Sequence, residues 1–518
     1  MPSLVADNFR VFAAEQFIES LEEPYDNLDN PVADNTTAAY NYRSKIYLFV
    51  GRPQEWSLER YAGQTDVTEF DPPDPYDSFN DMNEVYDDMI AVKRVTRSDV
   101  SKVIRKRIWK SQVIYDMYKN DYTPDKLSVN GQSKLYDAQF YVMNSNYQVY
   151  KCIYNGQSPT YPNGRPSTVE PTGNSTSIIE SPLDGYRWKY MYTINISDYI
   201  KFVSSDFIPI KDDIAVKAAA VNGSIDQLLI TNRGSNLTPN VYYAPIVGDS
   251  GDPAVARIVV PNTGSNAGSI DTVELDRVGS GYTNAKVLLT EVYLTANDAI
   301  NRNTNSLTLG TTANVEAIIS PPGGHGSDSS LELGGYRVMV NKSLDFLDGD
   351  GDIPVDSQFR RFGLLSDPTT PSGVDLTTTT ATACYAIKFP TATSTNFTPG
   401  EIITQLSTGA VGRVIHWDSV TKVLRYYQNE YTASLQTGVR QYKFVPFSGS
   451  NAIVGSTSNT TLTPDTNASG GFFGINFSNG YATPEVKKHS GKVIYVENRK
   501  AVNRSNDQIE DIKLVIEF

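Results

Sequence analysis

Apolar residues recur along the first stretch of the chain, 8–23, at three- and four-residue spacing: Phe9, Phe12, Ala13, Phe17 and Leu21. That is the period of an amphipathic helix, with Asp7 placed to cap it and Pro24 to stop it. Beyond a polar segment the period becomes that of strands. Residues 45–50, KIYLFV, read as a buried strand closed by Gly51, Arg52 and Pro53. The DPPDPY run at 71–76 forbids regular structure, because its prolines remove donors and fix φ. A second helix is predicted over 78–90, presenting Met82, Val85, Tyr86 and Met89. Strand patterns return at 103–109, at 140–143 and 147–153 around an Asn-Ser-Asn turn, and at 186–194, while 155–177 is a long Pro-, Gly-, Asn- and Ser-rich loop. At the far end, 493–496 and 512–518 read as strands. The second alternates Ile512, Leu514, Ile516 and Phe518 with polar residues, which puts one apolar row on one sheet face. A terminal segment is ordered only when tied down, so this strand is expected to pair with chain from much earlier.

Near residue 215 charge density falls and Gly, Ser, Thr and Asn rise. Residues 224–238, SIDQLLITNRGSNLT, match 269–283, SIDTVELDRVGSGYT, at six of fifteen positions with an offset of 45. Each copy reads as a strand running into a Gly-Ser turn, and strands at 254–260 and 313–320 are expected to close the unit they follow. Two copies are too few for a solenoid, which needs about three. The expected organisation is a core of 1–215 with 480–518, duplicated β units over 216–330, a connecting segment over 331–382, a small β module over 383–450 and a low-complexity linker over 451–479. The expected fold class is mainly β with an α+β N-terminal part: several antiparallel sheets or sandwiches, a few helices, and N- and C-terminal segments forming one core. Deleting 222–470 is expected to leave that core folded, and removing 511–518 to unfold it.

Composition narrows the function classes. A net charge of −14 argues against nucleic acid as the partner, because phosphate binding draws on a basic field. Lys102, Arg105, Lys106, Arg107 and Lys110 cluster, and are read as a solvated or ion-pairing surface. Cys152 and Cys384, with no CxxC, exclude a disulfide framework and a zinc cluster. No apolar run reaches the roughly 20 residues that span a bilayer, and the N-terminus lacks the basic and apolar regions of a signal peptide, so no membrane insertion is expected.

Catalytic constellations fail one by one. The GDSG motif at 248–251 echoes a serine-protease loop, but Ser250 would need a histidine base, upstream in the chymotrypsin-like chain order. His325, His416 and His489 all lie downstream. Asp348, Asp350 and Asp352 alternate like the start of a calcium loop, yet Ile353 and Phe359 stand where an EF-hand has its Gly and Glu, so an acidic turn is the reading. His325, within PPGGHG, is read as part of a flexible loop, and His416 as a strand residue beside Trp417. There is no P-loop, dinucleotide fingerprint or metal signature. A protein without catalytic residues, cofactor or metal is expected.

Five segments carry a resemblance: YLFVGRPQEW at 47–56, VIRKRIW at 103–109, VYKCI at 149–153, DGYRWKY at 184–190 and HSGKVIYVENR at 489–499. In content and order they resemble the baseplate wedge subunit encoded by gene eight of T-even-type contractile-tailed bacteriophages, over residues 1–210 and 480–518. The resemblance implies a non-enzymatic structural part of the virion tail baseplate, synthesised and assembled in host cytoplasm. It implies a homodimer in each wedge, other baseplate wedge proteins as partners, and an assembly whose rearrangement triggers sheath contraction. It makes Tyr47, Trp56, Trp109, Tyr186 and Trp188 candidate anchors of subunit interfaces or of the core. His489 then belongs to a structural signature. The rival reading is a tail fibre or receptor-binding protein whose β modules bind surface glycan. A single paired repeat fits that less well than an extended shaft would.

Overall fold

The computed structural model describes residues 4–21, 45–56, 68–345, 353–428 and 444–518, apart from 159, 311, 473 and 506. Among the described residues strands make up 38% and helices 11%, so the fold is mainly β, with several antiparallel sheets and few helices. The chain divides into two compact units, one of Met1–Glu15, Ser101–Val338 and Glu517–Phe518, the other of Gln16–Val100 and Met339–Ile516. The predicted helix 8–23 is observed as Asp7–Glu19, and Pro24 lies outside the described residues.

In the second unit five antiparallel strands run in the order Thr380–Thr382, Met89–Arg94, Ile46–Gly51, Ser357–Ser366, Lys492–Arg504. Strand Ile46–Gly51 is buried along its whole length, as an unbroken apolar run demands when both faces are covered. Opposite Phe49 its neighbour carries Gly363. A Cβ there would meet the Phe49 ring at 2.3 Å and the Tyr495 carbonyl at 2.2 Å, so only glycine admits the ring. The N-terminal strands and the C-terminal strand Lys492–Arg504 thus share one sheet.

Residues 331–382, expected to be a connection, contribute directly to this architecture. Ser357–Ser366 stands between Ile46–Gly51 and Lys492–Arg504. It hides its strand character because Arg360 and Arg361 are buried within it, which breaks the apolar alternation. Deleting 222–470 would remove this central strand, so the opposite outcome to the one expected from the sequence is predicted for such a deletion. Strand Glu510–Glu517 pairs with Arg337–Leu344, and its alternation is as the pattern predicts: Ile512 and Leu514 are buried and Asp511 is exposed.

The same unit holds a seven-stranded sheet around a core of Phe389, Phe397, Trp417, Tyr426 and Phe447. Residues 451–479, expected to be a linker, supply two of its strands, Ile453–Gly455 and Thr461–Leu462. Strands this short leave little periodicity to read. The two ends of the module meet, because the Glu485 N–H donates to the Thr382 carbonyl at 2.9 Å.

In the first unit, Tyr141–Met143 and Gln148–Asn155 form the predicted hairpin, continued by Tyr186–Thr193 and Ile179–Ser181. The duplicated region of this unit interleaves. The strand of the first copy, Ile225–Asn232, pairs with Asn314–Ile319, and that of the second, Thr272–Arg277, pairs with Ala254–Val260. Each closing strand therefore pairs with the other copy, not with the one it follows, which corrects the expected pairing. The exchange is reciprocal at the turns: the Leu237 N–H donates to the Gly268 carbonyl at 2.8 Å and the Tyr282 N–H to the Gly223 carbonyl at 3.1 Å. These donors and acceptors are related by the repeat offset of 45. So are Ile225 with Ile270 and Leu237 with Tyr282, which share one core. The region enters and leaves at a single point, where Ser224 and Ser320 exchange two hydrogen bonds.

Candidate functional site

Trp56 closes the GRPQEW turn, which leaves the central strand through Arg52 in a left-handed conformation (φ 56°). The indole is fully buried, with the Arg52 and Arg361 guanidinium groups 5.1 and 5.6 Å from its ring. Its Nε1 donates to the Arg499 carbonyl at 2.8 Å, and its backbone N–H to Glu69, which also receives Arg360. Arg361 in turn donates to Asp88 at 2.8 Å and Asn498 at 3.1 Å. One side chain thus joins three distant segments of the second unit. Nearby, Lys488 Nζ donates to the carbonyls of Tyr86, Asp87 and Met89, and His489 Nε2 lies 3.1 Å from Asp87. A cation over the end of helix Phe79–Asp87 satisfies carbonyls the helix leaves open. Lys488, immediately before the HSG signature, therefore caps the helix, and His489 packs beside it against the Asp87 side chain.

Tyr47 is also buried, and its single hydroxyl proton is shared between the carbonyls of Leu376 and Thr378 at 2.9 and 3.0 Å. In the first unit Tyr186 stacks on Trp188 with centroids 5.3 Å apart, and Tyr115 meets Trp188 edge-on. Trp109 is partly buried and donates to the Ser167 hydroxyl. Asp184, which opens the DGYRWKY segment, organises the long loop before it. Its carboxylate accepts from the amides of Thr168 at 2.8 Å and Val169 at 3.1 Å and from the Ser167 hydroxyl. Burial opposes its charge, but hydrogen bonds from Ser181, Thr168, Val169 and Tyr186 prevail and hold the carboxyl below the ordinary 3.8. The five aromatic residues thus fall in two groups, Tyr47 with Trp56 and Trp109 with Tyr186 and Trp188.

One cluster was not legible in the sequence. Lys151, buried in strand Gln148–Asn155, donates to the equally buried Glu332. His325 is also buried, 3.2 Å from Asp226 and edge-on to Tyr118. The expected flexible PPGGHG loop is instead a tight turn, with Gly323, Gly324 and Gly326 at positive φ, that delivers the imidazole inward. Burial, then the charge of Lys151, lowers the His325 pKa from the ordinary 6.5, against the pull of Asp226 and Glu332. Beside Asp226 opens a cleft of about 810 Å³, lined by Tyr154, Arg187, Leu228, Arg233 and Glu274 among others. Arg187 and Arg233 already donate to backbone carbonyls of Asp226, Ile270 and Asp271.

The remaining described motifs are bonded within the fold. The Ser250 hydroxyl donates to the backbone of Asp252 and Ser280. Lys106 and Arg107 of the basic cluster reach carbonyls of Ser204, Asp137 and Ala138, and Lys102 pairs with Glu15. Asp348, Asp350 and Asp352 lie outside the described residues. Among the described residues no group of three His, Cys, Asp or Glu side chains is arranged to hold a metal ion, and no helix is long and apolar enough to cross a membrane.

Residues 27–165 match the model of the family described as Phage-Gp8: Bacteriophage T4, Gp8. The match supports reading this region as similar to the Gp8 baseplate wedge subunit. No curated protein matches the chain. The Gp8 match takes in Tyr47, Trp56 and Trp109, and the segments 103–109 and 149–153. The segments 184–190 and 489–499 lie beyond it but are bonded to it, through Tyr115 and Tyr186 in one unit and through Trp56 and Arg499 in the other. The match supports a structural role in the phage baseplate.

Proposed function

We propose that this chain is a non-enzymatic wedge subunit of a contractile-tail baseplate, made in host cytoplasm and residing in the virion. It forms a homodimer within each wedge and assembles with neighbouring wedge proteins, and the completed baseplate rearranges to trigger sheath contraction. The Gp8 match over 27–165 carries this reading, supported by the bonds that draw 489–499 onto the matched region. The five aromatic residues act in it as core anchors: four are essentially fully buried, and their polar tips largely meet the chain's own groups. The wedge core is 1–215 with 480–518, joined by the strands of 331–382, and 216–330 and 383–479 are inserted modules. Mixing the chain with purified neighbouring wedge proteins, followed by size-exclusion chromatography with light scattering, is expected to give a dimer that enters a defined complex. A chain that stays apart from every wedge protein sinks the proposal, and a stable trimer counts for the fibre instead.

A further inference from the structure

Residues 70–79, FDPPDPYDSF, form a segment of the second unit that no part of the fold explains. Phe70, Tyr76 and Phe79 are 81%, 72% and 92% exposed. Large apolar side chains scattered singly on a surface need no account, but three within ten residues do. Prolines 72, 73 and 75 fix φ and hold the preceding residues extended, so the segment is set in shape before it meets anything. Its base is fastened. Glu69 receives the Trp56 amide and Arg360, Asn498 Nδ2 donates to the Pro73 carbonyl at 2.8 Å, and Ser78 caps helix Phe79–Asp87. Lys500 lies 5.8 Å from the Phe70 ring centroid. Between the aromatics stand Asp71, Asp74 and Asp77, all exposed. Among the described residues none of the three is ion-paired.

Resting on the baseplate reading, we propose that 70–79 is a docking ridge for a different protein of the baseplate, one presenting an apolar pocket rimmed by Lys or Arg. The aromatic side chains are the anchors, and an extended, proline-fixed segment loses little freedom on binding. The three carboxylates select the charge of the rim. A second copy of the chain brings the same net charge of −14 and the same acidic ridge, so it is the poorer match.

The test uses the full chain and the purified neighbouring wedge proteins of the same phage. Tyr76→Ser with Phe79→Ser is expected to weaken the wild-type complex about tenfold or more, the scale of a lost hot spot. Its melting temperature is expected to stay within about 1 °C of wild type, because exposed side chains contribute little to folding. Asp71→Asn with Asp74→Asn and Asp77→Asn is expected to weaken the complex at low salt and to flatten its salt dependence. A wild-type complex that both variants enter with unchanged affinity overturns the ridge and leaves the baseplate reading standing. Variants that lose only self-association assign the segment to a contact between copies and also overturn it. A wild-type chain that binds none of the wedge proteins removes both.

Discussion

Asp184 holds the long loop 155–177 by one carboxylate oxygen, Oδ2, and the consequence is local and measurable. Asp184→Ala leaves the amides of Thr168 and Val169 without their acceptor and is expected to cost about 2–4 kcal/mol. A shift of the urea midpoint at constant slope measures it, and Asp184→Asn, which keeps an oxygen acceptor, is expected to lose less. His325 sets a pH dependence of definite sign. Its folded pKa is lowered, so the unfolded chain takes up the proton first as pH falls through 6.5. Stability is full above that value and declines below it toward the folded pKa. The melting temperature is therefore expected to fall between pH 7 and 5.5, and His325→Gln to make that slope shallower. His416, lowered by burial and Arg425, leaves part of the slope in place. Residue-level legibility was uneven for a physical reason. Tyr186 and Trp188 stand in a strand pattern that marks packing. The bond between Lys151 and Glu332 spans 181 positions, and no local pattern records a partner so far away.

At the scale of elements, the interleaved repeat makes each copy dependent on the other. Gly223 has φ 63°, and a Cβ on it would approach the Tyr282 nitrogen to 2.3 Å. Gly223→Ala is therefore expected to destabilise the whole duplicated region, by about 2 kcal/mol or more, and hydrogen exchange at Leu237 and Tyr282 would rise together. Exchange confined to Tyr282 would contradict the coupling. Removing 511–518 deletes the buried Ile512 and Leu514, each worth roughly 1.5–3 kcal/mol, and the ion pairs of Glu517 with Arg10 and Arg337. Denaturant unfolding of that truncation is expected to show a large loss of stability in the full chain. The strands themselves were readable where they were long and apolar, as at 45–50 and 186–194. Pairing was not: the strand at 254–260 is plain, but its choice of Thr272–Arg277 follows from the exchange at the Gly-Ser turns, which periodicity does not encode.

At the scale of the molecule, the modules differ in how they join the chain. The seven-stranded module has its own aromatic core, and Thr382 and Glu485 at its two ends are hydrogen-bonded. Replacing 386–482 by a short Gly-Ser linker is expected to leave the five-stranded sheet folded, since closing so small a gap costs little. Circular dichroism and one cooperative melt would check it. Deleting 222–470 is expected to give no folded protein, because Ser357–Ser366 goes with it. In the five-stranded sheet, Ile46–Gly51 and Lys492–Arg504 were legible where the signature segments lie. The strand between them was masked by its buried arginines. Its place in the sheet also dictates an order of events during synthesis. Ile46–Gly51 leaves the ribosome early, able to pair with Met89–Arg94 but with its other edge open. At about 5–20 residues per second, its second neighbour follows some 15–60 s later. Over that interval an apolar strand edge stands ready to pair with any other nascent chain. Crowded translation, more than the finished protein, is therefore where this architecture is most exposed to aggregation.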